Sequence, residues 1–475
     1  MTVSIPPSRS QLSALALVIT ASGAACGDSE SPRPIETAPA PSTPAAGLDD
    51  ERPDPCRGVP LPPDQHYVAT GTCASAVAFD EEGLRQITFT PNGDLLGVRT
   101  SGQIMRFRDV NADGMFLGVG EIVEIANTGG NGNNADLDEV NGYLYAGSPD
   151  GVVRFVYAAG SDTLGSPEPV VVGQPSDGTH TYHTVHVYDG WLYVHSGSEN
   201  NVVAPASPEY DTNRSLLKRF DLNELVPGAP FAWTAGEVFA LGLRNMVGYA
   251  QSPAGTLYGV VNGVDELEYG GEDIHLDNPG EQLVELVQGQ AYGYPFCFTA
   301  QNVAVEGAPM QPGTQLATET EGFDNPHDDA WCRASSTPPV TFLPAHTAPL
   351  DIAFFGSSAD AAQALPEEWR DGAFVSLHGS WNTMPSVGHG VVHVPFGDAQ
   401  PTMPESAATP PAFPFSVVLS GGSSAGPVDG TWGWSSGEYA EETVRPVGVA
   451  VSPLDGALYI SSDSGGVLYR VGVPL

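Results

Sequence analysis

An arginine and an asparagine, Arg244 and Asn245, end an apolar run in a chain that contains few basic residues. One strand-like segment later comes Asn262-Gly-Val-Asp-Glu266, a glycine-containing turn rich in carbonyl and carboxylate oxygens. A guanidinium can hold an anion or polarise a carbonyl oxygen, and oxygens on a turn can bind a hard cation. The two segments therefore suit an anionic organic cofactor with its metal. A buried salt bridge between Arg244 and a carboxylate is the structural alternative.

Four histidines, His180, His183, His186 and His195, cluster around one predicted hairpin. A spacing of three alternates faces along a strand, so at most two of the first three can share a site. No HExxH motif accompanies them, which weighs against a zinc site. His180 stands apart because it follows Ser176-Asp-Gly-Thr179 at the start of its predicted strand, where loops present reactive groups.

A possible structural Ca²⁺ turn lies at Asp109, Asn111 and Asp113, which have the Asp-x-Asn-x-Asp-Gly spacing of a cation-binding loop. Gly120 occupies the twelfth position, where a complete EF-hand loop has Glu. The alternative is a solvated acidic hairpin.

The elements that must position these residues follow one repeated pattern. From residue 80 onward, a strand-like run, a turn with Gly at its second position and an apolar pair recur, and such turns are strong hairpin signals. Repeated units that cannot bury both faces alone form closed arrays, and four-stranded units around an axis make a β-propeller. We predict an all-β, six-bladed β-propeller of four-stranded antiparallel blades. A seventh blade between residues 260 and 345, or two smaller β domains, are the alternatives. The six turns start at Asn92, Asn141, Asp189, Ala254, Asp371 and Asp455.

The termini indicate export. Residues 1–26 combine Arg9, a short apolar run and small residues before Cys26, as a secretory signal of the bacterial lipoprotein type does. We expect lipidation at Cys26, and a periplasmic or cell-surface protein that is anchored to the membrane by lipid. Residues 27–60, rich in Pro, Ser and Ala, are predicted to be a disordered tether. Residues 61–475 are predicted to form the propeller.

Four cysteines remain when Cys26 is set aside: Cys56, Cys73, Cys297 and Cys332. An even number in an exported chain suggests two disulfides, and local pairing, Cys56 with Cys73 and Cys297 with Cys332, is the simplest of three connectivities. The second pair would clasp a long loop insertion within the 260–345 interval.

The formal net charge of −40 comes from 57 acidic and 17 basic residues. Such a surface repels phosphate backbones and anionic lipid head groups, so nucleic acid is excluded as a partner.

Several motifs together resemble the soluble quinoprotein glucose and sorbosone dehydrogenase family, most closely its sorbosone dehydrogenase branch. The similarity runs from about residue 80 to the C-terminus. It implies a six-bladed propeller that holds pyrroloquinoline quinone and Ca²⁺ at the mouth of its channel. Such a protein would oxidise a sugar, polyol or sugar aldehyde and pass electrons to an external acceptor. The motifs are Gly242-Leu-Arg-Asn245, Asn262-Gly-Val264, Leu343-Pro-Ala-His-Thr-Ala-Pro-Leu350, Leu377-His-Gly-Ser-Trp-Asn382 and Arg445-Pro-Val-Gly448.

The resemblance also implies residue roles. His180 would be the general base, and Arg244 would polarise the quinone carbonyl with Asn245 beside it. Arg445 and His378 would contact the cofactor. The Ca²⁺ ligands would be two backbone carbonyls, those of Gly263 and Val264.

Three positions depart from the family pattern. Ala135 replaces a histidine, Thr383 and Val447 replace arginines, and the single lysine, Lys218, lies in a mid-blade strand. Two alternative functions therefore stay open. One is a non-catalytic extracellular binding propeller that has lost the cofactor. The other is a metal-dependent hydrolase of the lactonase type that uses the His180–His195 cluster or acidic residues around a central divalent ion.

Overall fold

The structure is a computed structural model that describes residues 56–202, 213–305, 308–356, 365–383, 386–397, 400–404, 413–422, 444–463 and 465–474. The predicted signal with Cys26, and the tether up to residue 55, lie outside the described residues. None of the described helices is long and apolar enough to cross a membrane.

The described chain is mostly β-structure. The strands of its first half are β1 Val59–Pro60, β2 His66–Val68, β3 Cys73–Ala78, β4 Leu84–Phe89, β5 Leu95–Arg99, β6 Gln103–Phe107, β7 Ile122–Asn127, β8 Ala135–Asp138, β9 Tyr143–Ser148, β10 Gly151–Val156, β11 Glu168–Val172, β12 Val185–Tyr188, β13 Trp191–Ser196, β14 Leu216–Asp221, β15 Phe231–Ala232, β16 Glu237–Leu241, β17 Asn245–Gln251 and β18 Leu257–Asn262.

The strands of the second half are β19 Glu268–Tyr269, β20 Glu272–Asp273, β21 Glu281–Glu285, β22 Gln290–Ala291, β23 Cys297–Thr299, β24 Ala304–Val305, β25 Ala308–Pro309, β26 Gln315–Ala317, β27 Thr341–Leu343, β28 Pro349–Phe354, β29 Ala373–Leu377, β30 Gly390–Val394, β31 Phe396–Gly397, β32 Gln400–Pro401, β33 Ser416–Gly421, β34 Pro446–Val451, β35 Leu458–Ser462 and β36 Val467–Gly472. One α-helix, α1 Asp329–Ser335, is described. The described 3-10 turns are Leu222–Glu224, Trp233–Ala235, His275–Asp277 and Glu367–Trp369.

Six sheets form the six blades of a β-propeller, as predicted. Blade 1 is β4-β5-β6-β7, blade 2 is β8-β9-β10-β11-β15 and blade 3 is β12-β13-β14-β16-β22. Blade 4 is β17-β18-β21-β27, blade 5 is β28-β29-β30-β33-β2 and blade 6 is β34-β35-β36-β3-β1. The ring is closed because the N-terminal β3 pairs antiparallel with the C-terminal β36. The strand β1 already belongs to blade 6, although it precedes the predicted domain start at residue 61.

Each predicted turn lies between the first and second strands of a blade. Two blades have four strands as predicted, and the other four carry a fifth strand at the outer edge. These extra strands come from connecting segments, and they pair with backbone groups that an exposed edge would leave open. The short length of the extra strands explains why no sequence pattern marks them.

The interval between residues 260 and 345 holds an insertion rather than a seventh blade. It contains the hairpins β19-β20, β23-β26 and β24-β25 and the helix α1. The disulfide Cys297–Cys332 joins β23 to α1, and Cys56–Cys73 ties the described N-terminus to β3. Both predicted cysteine pairings are therefore confirmed.

The hydrophobic core is divided among the interfaces between neighbouring blades. Between blades 4 and 5, for example, Val260 and Leu283 pack with Val375 and Val392. The innermost strands also approach closely around the channel: a Cβ built on Gly248 of blade 4 would lie 2.4 Å from the Cα of Asp351 in blade 5. This close packing fixes the positions at which the innermost strands begin.

Candidate active site

A cavity of about 370 Å³ opens at one end of the central channel. The innermost strands begin at this end: Asn245 is the first residue of β17, and Arg85 and Leu350 are the second residues of β4 and β28. Loops between and within blades complete the wall. Five of the residues predicted from the sequence line this cavity, namely His180, Arg244, Asn245, Gly263 and His378.

His180 lies in the loop between β11 and β12, ahead of Val185, where the strand begins. Its Nδ1 is 2.8 Å from the Ser198 hydroxyl oxygen and 3.2 Å from the Ser198 carbonyl oxygen. The Ser198 hydroxyl itself donates to the Asn200 carbonyl at 2.8 Å. Because a carbonyl oxygen can only accept, Nδ1 carries the proton and Nε2 keeps its lone pair.

The His180 ring is neutral. Burial, and then the positive charge of Arg244, lower the pKa of its imidazole to about 3. Gly197 packs directly against the base of this side chain, since a Cβ added at Gly197 would lie 2.6 Å from the His180 Cβ. A neutral imidazole with a free Nε2 lone pair at a cavity can accept a proton from a bound hydroxyl group.

The guanidinium of Arg244 is held by Asn201. Its Nε donates to the Asn201 carbonyl at 2.9 Å, and one Nη donates to Asn201 Oδ1 at 3.0 Å. The same Nη is 3.6 Å from Asp265 Oδ2, which is an ion-pair contact beyond hydrogen-bond length. Arg244 therefore combines both sequence interpretations: it is a buried ion-pair partner, and it also lines the cavity.

Asn245 is connected to blade 5 through the side chain of Asn262, its neighbour in blade 4. Its Nδ2 donates to Asn262 Oδ1 at 3.0 Å, and Asn262 Nδ2 donates to the Pro349 carbonyl at 2.7 Å. The predicted cofactor contact thus sits in a fixed network of side-chain amides.

The predicted Ca²⁺ turn follows directly. The Gly263 N–H donates to Glu281 Oε2 at 2.7 Å, and burial raises the pKa of the Glu281 carboxyl to about 8. The Val264 side chain packs into the insertion against Tyr294 and Phe298. This packing attaches the turn to the insertion, and the roles of the two backbone carbonyls as Ca²⁺ ligands stay predictions.

A second guanidinium lines the cavity, that of Arg85. It is 5% exposed, stacks 4.5 Å from the centre of the Tyr182 ring and lies 3.7 Å from Asp463 Oδ2. His378 Nε2 donates to the same Asp463 oxygen at 2.9 Å. Arg445 does not line this cavity. Burial is the main cause that lowers the pKa of His378, and the positive charge of nearby Arg445 lowers this pKa further.

Sequence reasoning assigned no role to Arg85, although one signal was available. Arg85 is a basic residue at the opening of blade 1 in a chain with only 17 basic residues, as Arg445 is at the opening of blade 6. Other lining residues that were given no role are Tyr182, Asp265, Glu281, His346, Trp381, Asn382 and Asp463.

The three departures from the family pattern have different surroundings. Ala135 lines a separate chamber at the opposite end of the channel. Val447 is fully buried against Val247 and Leu350, and Thr383 is buried. None of the three lines the mouth cavity. Arg85 does line it, and it adds a positive charge there.

The remaining histidines of the cluster do not gather around a metal. His183 and His195 are buried and contact backbone carbonyl oxygens, and His186 pairs with Asp136 at 2.9 Å. In the described part of the chain, the cluster therefore lacks the geometry that the lactonase-type alternative requires.

The acidic turn at Asp109 is closed by its own backbone. The N–H groups of Asp113 and Gly114 donate to the Asp109 carboxylate at 3.1 and 2.8 Å, and Asp113 N–H also donates to Asn111 Oδ1 at 2.9 Å. These bonds shape a compact loop, and Ca²⁺ binding there stays a prediction.

A polar septum separates the mouth cavity from the second chamber, which has a volume of about 950 Å³. Gln86 Nε2 donates to the Leu350 carbonyl and to Asp351 Oδ1, both at 2.9 Å, and Asn133 Nδ2 donates to Gln86 Oε1 at 2.9 Å. Every one of these groups is buried, so the channel is blocked and the mouth cavity is a blind pocket.

The chemistry of the mouth cavity suits the predicted cofactor. Its volume of about 370 Å³ lies within the rough range of 300–1,000 Å³ for small-molecule sites. Two buried guanidiniums, Arg85 and Arg244, face it beside the carboxylates of Asp463 and Asp265, and their N–H donors can bind an organic anion. The donors and charges therefore fit a planar quinone that carries carboxylates.

Comparison with known proteins places the chain among relatives with this architecture. The sequence model of the family described as TrAA12-like matches residues 66–473. A pyrroloquinoline quinone-dependent pyranose dehydrogenase of Coprinopsis cinerea is 28% identical over 435 residues, which cover 88% of this chain and 56% of that protein. The chain thus spans little more than half the length of this relative.

Two further proteins extend the comparison. A pyrroloquinoline quinone-dependent sugar dehydrogenase of Hypocrea jecorina is 28% identical over 346 residues, covering 68% of this chain and 74% of that protein. The holo form of the quinone domain of the Coprinopsis cinerea pyranose dehydrogenase superposes with a TM-score of 0.71 at 26% identity. That match covers 88% of this chain and 99% of the domain.

Proposed function

The chain belongs to the TrAA12-like family of quinoprotein sugar dehydrogenases, and from that premise we propose that it oxidises a sugar, polyol or sugar aldehyde with pyrroloquinoline quinone and Ca²⁺. The observation that carries this proposal is the meeting of a neutral His180 and a fixed Arg244 in one blind cavity. The relatives named as pyranose and sugar dehydrogenases support a carbohydrate substrate.

The residues of the cavity divide the chemistry among them. When bound, pyrroloquinoline quinone would supply the carbonyl group that accepts a hydride from the substrate carbon. His180 Nε2 takes the hydroxyl proton of the substrate as its C–H bond breaks, so the alcohol becomes a carbonyl. Arg244 holds its positive charge where negative charge develops. An external electron acceptor then completes the cycle.

The cofactor is held by groups of two kinds. The guanidiniums of Arg85 and Arg244 would bind its anionic edge, and the amide of Asn245 lies beside Arg244. The proposed Ca²⁺ ligands are the backbone carbonyls of Gly263 and Val264, which are hard oxygen donors of the type that Ca²⁺ prefers.

Reconstitution tests the proposal. Chelator-treated protein is incubated with pyrroloquinoline quinone and Ca²⁺, and dye reduction is followed across a panel of sugars and polyols. We expect turnover that depends on the quinone, and a loss on the order of 10²–10⁴-fold in His180→Ala. His327→Ala, a histidine outside the cavity, is the matched control. Absence of dye reduction with every sugar would favour a binding propeller and refute the proposal.

We also propose export with a lipid anchor at Cys26. The two disulfides support an oxidising compartment, where such bonds form and persist. Expression in a bacterial host with a radiolabelled fatty acid tests the anchor. The wild type should carry label and sediment with membranes, whereas Cys26→Ala should not. An unlabelled wild type would overturn the proposal of an anchor.

A further inference from the structure

Three side chains at the rim of the mouth cavity have no role in the proposed oxidation: Asp265, His275 and His346. One ligand atom from each lies within 4.8 Å of the other two. In the described ranges, no other group of three His, Cys, Asp or Glu side chains meets this criterion. Asp265 and His346 also line the cavity.

Separate loops bring the three together. Asp265 follows β18, His275 opens the 3-10 turn His275–Asp277, and His346 lies between β27 and β28. The Asp265 backbone is fixed at both ends by Asn201, because its N–H donates to Asn201 Oδ1 and its carbonyl accepts from Asn201 Nδ2, both at 2.8 Å. His346 is 5% exposed. Two of the three ligands are therefore held in place.

The hydrogen bonds of His346 identify its free nitrogen. Nε2 is 2.6 Å from the His275 carbonyl oxygen, and since a carbonyl only accepts, Nε2 carries the proton. Nδ1 then carries a lone pair, and it faces Asp265 Oδ1 at 3.8 Å. Two lone-pair atoms that face each other at this distance repel, and a cation that binds both of them removes that repulsion. A metal-bound histidine commonly donates its other N–H to a backbone carbonyl, as His346 does.

The distance also suits a metal. Ligand bonds of roughly 2.0–2.1 Å in tetrahedral geometry separate two ligand atoms by about 3.4 Å. The observed 3.8 Å between His346 Nδ1 and Asp265 Oδ1 needs only a small contraction. The other carboxylate oxygen of Asp265 faces Arg244 at 3.6 Å, whereas Oδ1 accepts a hydrogen bond from Asn382 Nδ2 at 3.2 Å and keeps a second lone pair for an ion.

His275 is the ligand that must move. Its Nδ1 accepts the Glu266 N–H at 3.0 Å, so the neutral ring holds its proton on Nε2. The ring packs edge-on against His346 with 4.5 Å between centroids, and it is only partly buried. When the ring turns toward a bound cation, His275 Nδ1 loses the hydrogen bond from the Glu266 N–H and gains a bond to the metal.

We propose that Asp265, His275 and His346 bind one divalent transition metal ion at the cavity rim. Two imidazoles and one carboxylate form a borderline donor set that favours Zn²⁺, Co²⁺, Ni²⁺ or Cu²⁺ over Ca²⁺. Three protein ligands leave a coordination position open toward the cavity. The site is therefore chemically distinct from the carbonyl turn at Gly263 and Val264, and it needs no quinone.

Cobalt provides a direct probe. Full-length, chelator-treated and quinone-free protein is titrated with CoCl₂ in excess Ca²⁺, and the visible ligand-field bands are recorded. We expect saturation at one Co²⁺ per chain and displacement by Zn²⁺. His346→Ala should weaken Co²⁺ binding by at least about 100-fold. His327→Ala, which removes a histidine remote from the rim, should leave the titration unchanged.

Two results would overturn the proposal: absence of saturable Co²⁺ binding, or equal binding by wild type and His346→Ala. If His346→Ala does not fold, Asp265→Asn and His275→Ala decide, because each removes one ligand at a less buried position and each should weaken Co²⁺ binding. Unchanged binding in both would refute the site. Because Co²⁺ binding is measured without quinone, this outcome is separate from the outcome of the reconstitution assay.

Discussion

The chemistry of His180 and Arg244 depends on the neighbours that orient them. The Ser198 hydroxyl oxygen accepts a hydrogen bond from His180 Nδ1–H, which leaves the Nε2 lone pair free. Asn201 accepts two hydrogen bonds from the Arg244 guanidinium and thereby fixes its plane. Ser198 and Asn201 are thus positioning residues for the proposed reaction, and Ser198 offers the cleaner test because its exchange leaves no charge unpaired.

Ser198→Ala should lower kcat by about tenfold, since the hydroxyl hydrogen bond of roughly 1–1.5 kcal/mol to His180 Nδ1 is lost and only the longer bond to the Ser198 carbonyl still orients the ring. KM should change little, and Ser198→Thr, which keeps a hydroxyl, should recover most of the rate. Ser176→Ala, which changes an exposed serine of the loop that carries His180, is the matched control. Steady-state kinetics after reconstitution give the result; an equal loss of rate in both alanine variants would contradict the role of Ser198.

His180 should also make the cofactor-free protein sensitive to acid. Its folded pKa of about 3 lies below the unfolded value of about 6.5, so the unfolded chain takes up the proton first. Stability is therefore lost as pH falls from about 6.5 toward 3. His180→Gln cannot titrate, so its Tm should fall less than that of the wild type between about pH 7 and pH 4. Thermal melts across this range check it, and parallel curves would count against a depressed pKa.

The site residues that could be predicted from the sequence are those whose type is unusual in this chain. Arg244 and Asn245 were recognisable as a basic residue and an amide at the end of an apolar run, and the structure brings them to the cavity. Asp265 and His346 were not assigned a role, because they lie in loops that are far apart in sequence and meet only in the folded chain. Ser198 could not be found either, since a serine has no distinctive spacing.

At the scale of elements, the insertion supports the site. The side chains of Val264 and Leu267, on the loop that carries the proposed Ca²⁺ ligands, pack against Tyr294 and Phe298 of the insertion. The disulfide Cys297–Cys332 closes this insertion, whereas Cys56–Cys73 lies on blade 6. The two disulfides should therefore differ in their effect on cofactor binding.

Replacing Cys297 and Cys332 together by Ala should lower the unfolding free energy by about 3–4 kcal/mol, because the unfolded chain regains the entropy of a long loop. The double variant should also bind quinone more weakly. The Cys56→Ala, Cys73→Ala pair is the matched control: it should cost about 3 kcal/mol and leave quinone affinity unchanged. Denaturant unfolding and quinone titration measure the two effects. Equal quinone affinity in both double variants would show that the insertion does not support the site.

The blade pattern was readable from the sequence for a local reason. Each hairpin turn combines a glycine with flanking apolar alternation, and these signals lie within a few residues of one another. The fifth strands and the closure of β3 on β36 have no such signal. They depend on contacts between segments that are distant in sequence, so only the structure reveals them.

The whole molecule carries a net charge of −40, which destabilises a compact chain through self-repulsion. Arg85 and Arg244 lie within this field at the cavity, each beside a carboxylate, and their guanidiniums offer N–H donors to an anionic ligand that the molecule as a whole repels. Added salt should screen the self-repulsion and so stabilise the folded chain. It should also weaken the interaction of the two guanidiniums with an anionic ligand.

The Tm of the cofactor-free protein should rise by several degrees when monovalent salt is increased from about 10 to 150 mM, a range over which the Debye length falls from roughly 30 to 8 Å. A differential scanning calorimetry series in NaCl measures this. Choline chloride should have the same effect as NaCl, since screening does not depend on the cation. A Tm that falls with added salt would contradict destabilisation by self-repulsion.

The most direct test of the account is the binding of pyrroloquinoline quinone to the mouth cavity. Chelator-treated protein with added Ca²⁺ is titrated with the quinone, and the change in quinone absorbance is followed for wild type, Arg244→Ala and Arg333→Ala. We predict saturation at one quinone per chain, an affinity loss of about tenfold or more in Arg244→Ala, and no change in Arg333→Ala, whose arginine is exposed on α1. Absence of saturable binding, or equal affinity in all three proteins, would contradict it.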